Sequence, residues 1–196
     1  MKLTYLPASL VLVMMFAQVA AAQTAPAQLV DNPIYQSWSS QKVGTKVTSR
    51  AETLAQGMTI AMEVVQTLVE VKPEKLTLEV VTTIDMMGSR QSQPAQKQEV
   101  AAKVDASQAN LPSGVGANAA ISNVTMKQVG KESVEVGGKK YDCVIHEFEA
   151  TTAQGKMTGK LWNTPLIPGN LAKSETNIAG RLTATSKTTV TLIEAK

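Results

Sequence analysis

The sequence predicts an all-β protein: roughly nine or ten antiparallel strands forming a sheet, barrel or sandwich, preceded by one short helix. Three observations predict it. Apolar residues recur at every second position through most of the chain, and a period of two places them on one face of a strand. Turn residues punctuate the alternation at Gly57, Pro73, Gly137-Gly138, Gly155 and Gly180. No strand is followed by a helical segment able to carry the chain to a parallel neighbour, so a βαβ sheet is not expected.

The clearest stretch runs from Val134 to Gly169. It reads as a strand, a Gly137-Gly138 turn, a long strand, a Gly155 turn, a strand ending at Trp162, and a corner at Pro165 and Pro168-Gly169. Two adjacent glycines between alternating apolar positions suit a type I′ turn, in which both central residues take positive φ.

Ahead of this meander the elements follow in order. Residues 1–22 have a signal-peptide pattern: Lys2, an apolar run Leu10 to Ala17, and the small residues Ala20-Ala21-Ala22 before Gln23. Pro7 and Gln18 leave that run short for a membrane span. Residues 23–30, rich in Ala, Gln and Pro, are expected to be a flexible leader, and residues 31–196 a single domain. Asn32 as cap and Pro33 at the first helical position open a helix carrying Ile34, Tyr35 and Trp38. Strands are expected over 42–53, 57–71 and 75–87, with a weaker, more polar one over 96–104. Residues 105–120 hold Pro112, Gly114 and Gly116 among small residues and read as a long loop. Strands resume at 124–136 and, after the meander, at 170–178 and 181–195.

Composition narrows the function classes. The formal charge is +3, with 19 Lys and Arg against 16 Asp and Glu spread along the chain without a basic run, so a nucleic-acid partner is not expected. Cys143 is the single cysteine, so no internal disulfide can form. On its strand it shares the more apolar parity with Tyr141 and Ile145 and is expected to be a buried thiol. His146 is the single histidine and shares a face with Asp142, Val144 and Phe148; an exposed or core-satisfied histidine is expected. One His and one Cys on opposite faces do not make a zinc site. No spacing identifies a catalytic acid, base or nucleophile. The chain is therefore expected to be no enzyme and to need no metal or cofactor. Met58, Met62, Met86, Met87, Met126 and Met157 are flexible side chains suited either to a ligand cavity or to a core poor in aromatics.

The order of a short N-terminal helix, long antiparallel strands, a mid-chain loop and a late corner resembles the lipoprotein-carrier (LolA/LolB-like) half-barrel family. That corner runs from Trp162 through Pro168-Gly169 to Leu171-Ala172-Lys173-Ser174-Glu175, and the opening Trp38 to Val47 looks similar too. The resemblance implies a strongly curved, unclosed antiparallel barrel, its concave apolar face covered by helices, and a role in carrying acyl chains. Many relatives have no assigned role. This chain departs in having less helical lid material and few aromatics, and no functional residue is carried over.

The expected protein is thus exported, periplasmic or extracellular, and soluble after cleavage. It would hold an apolar or acyl ligand, a lipid or an acylated protein, against Met58, Ile60, Met62, Leu78, Val80 and Ile84 on the concave face. An envelope protein partner is a further expectation. The alternative is a non-catalytic structural or interaction domain whose own side chains fill that face. Trp38 and Trp162 are the expected helix–sheet contact.

Overall fold

The computed structural model describes residues 28–86, 88–106, 122–153, 155–180 and 183–195. The expected signal peptide, Met87 and nearly all of the 105–120 loop lie outside the described residues. The chain order is β1 (Leu29–Asp31), α1 (Pro33–Ser39), β2 (Lys46–Ala55), β3 (Met58–Val71), β4 (Lys75–Met86), β5 (Ser89–Ser92), β6 (Gln96–Ala101), β7 (Lys103–Asp105), β8 (Ser122–Val136), β9 (Lys139–Thr152), β10 (Gly155–Asn163), β11 (Leu171–Gly180) and β12 (Ala184–Glu194).

The helix starts where its cap predicts. Asn32 Oδ1 accepts from the Ile34 N–H at 3.0 Å, while its Nδ2 donates to the Ala101 carbonyl at 2.8 Å. One side chain therefore caps the helix and ties it to the end of β6. Of the stretch expected as a flexible leader over 23–30, Leu29 and Val30 belong to a strand instead, because Leu29–Asp31 pairs antiparallel with β7; residues 23–27 lie outside the described residues. The polar strand expected over 96–104 is two strands, since β6 pairs with β4 and β7 with β1.

The main sheet has the order β5-β4-β3-β2-β12-β11-β10-β9-β8, with β6 beside β4 on the same side as β5. Every pairing is antiparallel. Two consecutive meanders, β2 to β5 and β8 to β12, meet at β2 and β12, in register from Ala184↔Ala55 to Glu194↔Lys46. Gly137 and Gly138 take φ 58° and 79°, as the hairpin signal requires. Bulges in β3, β8, β11 and β12 add local twist. The sheet curls far enough for β8 to touch β11 and β12, three and four places away, with the Gly137 turn against Leu192. The barrel stays open, because no ladder joins β8 to β5 or β6.

Strand direction sorts the connections into two ends. The β3–β4 and β8–β9 turns and the 164–170 corner lie at the helix end; the β2–β3, β4–β5, β9–β10 and β11–β12 turns lie at the other, the hairpin end. Register also sorts side chains into two faces. The face carrying α1, here called inner, buries Val47, Leu68, Leu76, Leu78, Ala172 and Val190 in one cluster with Trp38 and Ile167. Phe148, Ala150, Met157 and Leu161 form a second cluster on the same face of β9 and β10. The outer face bears exposed ion pairs, among them Lys160–Glu147 at 3.1 Å and Lys156–Glu149 at 2.8 Å.

Gly159 marks where the backbone needs room. The Phe148 ring lies over it from the neighbouring strand, and a Cβ there would collide with that ring and with the Glu175 carbonyl oxygen. Gly159→Ala is expected to cost about 1–3 kcal/mol through overpacking, read as a lower urea midpoint at unchanged slope.

Candidate binding face

The inner face divides into a filled part and an open part. At the helix end Trp38, Leu68, Leu76 and Leu78 are buried together. The corner fastens the helix there: the Gly169 N–H donates to Ser37 Oγ at 2.9 Å and Asn170 Nδ2 to the Pro33 carbonyl at 2.8 Å. Tyr35 adds a bond from its hydroxyl to the Lys72 carbonyl at 2.7 Å.

Toward the hairpin end the same face opens. Register sets Met62 opposite Ile84 and Ile60 opposite Met86, with Val80 on the same face opposite Gln66, so Ile60, Met62, Val80, Ile84 and Met86 share one apolar wall. Ile60, Met62, Val80 and Ile84 are half-buried, Met58 is 52% exposed and Met86 48%. The central strands provide a floor of small side chains: Ser49, Ala51 and Thr53 on β2, Ser186 and Thr188 on β12, Ser174 and Thr176 on β11. Within it the Thr53 hydroxyl donates to Ser186 Oγ at 3.0 Å. Beyond the floor stands the second wall, Phe148, Ala150, Met157 and Leu161. Small residues thus lie between two apolar stretches of the same face, the second of them buried.

By register the six side chains named from the sequence share the inner face, but their burial differs. Leu78 is 1% exposed and belongs to the packed cluster under the helix, and Val80 packs against that cluster. Met58, Ile60, Met62 and Ile84 lie in the open part. The small-residue floor and the Phe148 wall escaped the sequence reading. Their signal was present as alternation of Ser, Ala and Thr in 49–53, 174–176 and 186–188. Of the other methionines, Met126 is exposed and Met157 is core.

The tryptophans part company. Trp38 is the helix–sheet contact expected of it. Trp162 belongs to the same buried cluster, but its partners are strand residues: Nε1 donates to Glu132 Oε2 at 2.6 Å, and Lys173 Nζ sits 4.1 Å from the ring centroid. Glu132→Ala would leave a buried indole N–H unpaired. It is expected to cost about 1–2 kcal/mol, with a shifted tryptophan emission as the readout.

The single cysteine and histidine have plain settings. Cys143 is buried, and desolvation raises its thiol pKa, so the thiolate is suppressed. A thiol reagent is expected to modify it only as fast as the protein unfolds; rapid native-state labelling would contradict this. His146 is half-buried on the inner face opposite Leu161 and Gln128, and its Nδ1 has no hydrogen-bond partner. It is thus neither fully exposed nor fully satisfied.

A groove of about 460 Å³ also runs along β8–β11, lined by Glu147, Glu149, Lys127, Lys160, Glu175 and Asn177 among others. Its acids are already engaged: Lys160 with Glu147, Lys156 with Glu149, and Lys173 with Glu175 at 2.9 Å. The Lys173 hydrogen bond, with Lys187 and Lys160 adding charge, holds the Glu175 carboxyl below its ordinary pKa. A depressed folded-state pKa contributes stability at neutral pH that is lost as pH falls through it. Glu175→Gln is therefore expected to flatten the acid limb of the stability profile and leave the alkaline limb unchanged. Among the described residues no group of three or more His, Cys, Asp or Glu is placed to hold a metal ion, and no helix is long and apolar enough to cross a membrane.

No protein-family model and no curated protein matches the sequence. Solved structures of similar course exist. One is described as an exported protein with a YmcC-like fold from Bacteroides fragilis: 13% identity, 79% of this chain and 97% of that chain covered, TM-score 0.44. A second, described as a lipoprotein from Parabacteroides distasonis, has 12% identity, coverage of 79% and 96%, and TM-score 0.42. A third, an outer membrane lipoprotein-sorting protein domain from Vibrio parahaemolyticus, has 8% identity, coverage of 84% and 91%, and TM-score 0.24. At these identities and TM-scores the likenesses carry no site residue and no activity over to this chain.

Proposed function

We propose that this is an exported envelope protein that holds an apolar or acyl ligand, a lipid or the acyl chain of a lipidated protein, against the open part of its inner face. Met58, Ile60, Met62, Val80 and Ile84 would form the contact, and binding would be burial without covalent chemistry. One observation carries the reading: the apolar wall of β3 and β4 continues past the helix with its side chains only half-buried, across a small-residue floor from the wall of β9 and β10. A protein that merely filled its own core would be expected to cover that wall, because each half-buried apolar side chain forgoes roughly half of the 1.5–3 kcal/mol of full burial.

The second reading, a non-catalytic structural or interaction domain, has the packed helix end in its favour, where Trp38 and Leu78 leave no room for a guest. Titration of a fluorescent fatty-acid probe separates the two. Saturable uptake with a blue-shifted emission is expected of the binding protein. No uptake by protein stripped of endogenous lipid would remove the proposal and leave the structural reading.

A further inference from the structure

Among the described residues the sulfur-bearing side chains sort by exposure. Met157 and Cys143 are buried, and desolvation of Cys143 suppresses the thiolate that an oxidant would attack. Met58 and Met86 are exposed, and Met62 is half-buried. These three are grouped. Met58 and Met62 flank Ile60 along the inner face of β3, and Met86 pairs with Ile60 from β4. Met86 is thus the diagonal neighbour of both, at about 7–8 Å. The remaining described methionine, Met126, is exposed on the edge strand β8, away from this wall.

We propose that Met58, Met62 and Met86 are a site of reversible oxidation, at which sulfoxide formation turns the apolar wall of β3 and β4 polar. Hydrogen peroxide transfers one oxygen atom to a thioether sulfur. The S–O bond forms as the O–O bond breaks, the sulfur loses two electrons, and the peroxide leaves as water. A sulfoxide is polar and accepts hydrogen bonds, so an apolar ligand would lose its contact there. Ile60, Val80 and Ile84, the other members of the wall, have no such chemistry. None of the three methionines belongs to a packed cluster. The fold therefore survives the change, and a methionine sulfoxide reductase supplied with a dithiol can reach the sulfur and remove the oxygen as water. The effect on a ligand rests on the binding reading above; the oxidation site itself does not.

The test treats the folded protein with hydrogen peroxide and maps sulfoxides by fragment mass, which separates Met86 from Met87, beside titration of the fatty-acid probe. Met58 and Met86 should oxidise at least about tenfold faster than Met157, with Met62 intermediate and the melting temperature little changed. Probe affinity should fall about tenfold and return after treatment with methionine sulfoxide reductase and a dithiol. In the triple variant Met58→Leu, Met62→Leu, Met86→Leu the changes conserve volume. Peroxide should leave that variant's own starting affinity as it was, although Met126 still oxidises. Met157 oxidising as fast as Met58, unfolding on treatment, or sulfoxides that the reductase cannot remove from the folded protein would each overturn the site. Undiminished affinity in the oxidised wild type, or an equal fall in the triple variant, would overturn its effect on the wall. If the untreated protein takes up no probe, the ligand reading falls and the oxidation map still decides the site.

Discussion

Trp38→Ala is expected to cost about 3–5 kcal/mol, the range for deleting a buried large aromatic. The indole is 1% exposed at the centre of the cluster that joins α1 to Leu68, Leu76 and Leu78. Its Nε1 lies 3.6 Å from where a Cβ on Gly169 would be, so the cavity would also undercut the corner. For a chain of this length each kcal/mol shifts the melting temperature by about 2–4 °C, so a fall of about 6 °C or more is expected. Trp38→Phe should recover much of it. A loss under about 1 kcal/mol would mean that the helix is not what closes this end of the sheet.

The second large effect concerns binding. Met62 and Ile84 face each other across β3 and β4, both half-buried, in the open part of the inner face. Met62→Glu with Ile84→Lys replaces that contact by an ion pair in the same register. Half-buried already, each apolar side chain has roughly half of the 1.5–3 kcal/mol of full burial left to contribute to a ligand, so affinity for the fatty-acid probe should fall about tenfold or more. The melting temperature should move little, since neither side chain is in the packed cluster. A variant that keeps its affinity would place the ligand elsewhere; one that unfolds would show that the wall is core.

Much of this fold was legible because one local rule dominates it. Period-two alternation located β2, β3, β4 and the 124–195 strands, and Asn32-Pro33 and Gly137-Gly138 announced the helix start and the hairpin through their own backbone preferences. What alternation omits is which strands are neighbours. The β2–β12 ladder joins residues more than 120 positions apart, and no turn residue encodes it. The four-residue β5 is too short and polar to show a period, and Leu29 and Val30 read as leader because the pairing of Leu29–Asp31 depends on Lys103–Asp105. The lining set was legible as a face but not as a depth. Leu78 and Met58 obey the same parity, and only the position of Trp38 decides that one is core and the other exposed. Ser49, Thr53, Ser186 and Thr188 gave no apolar signal at all, yet their small size is what would leave space between the walls.

Native mass spectrometry of the protein isolated from its own cells, followed by organic extraction, tests the central claim most directly. The account predicts a discrete extra mass that extracts as lipid and identifies the acyl class. A bare polypeptide that also fails to acquire mass from added fatty acid would contradict it, leaving the inner face a surface that the protein keeps for itself.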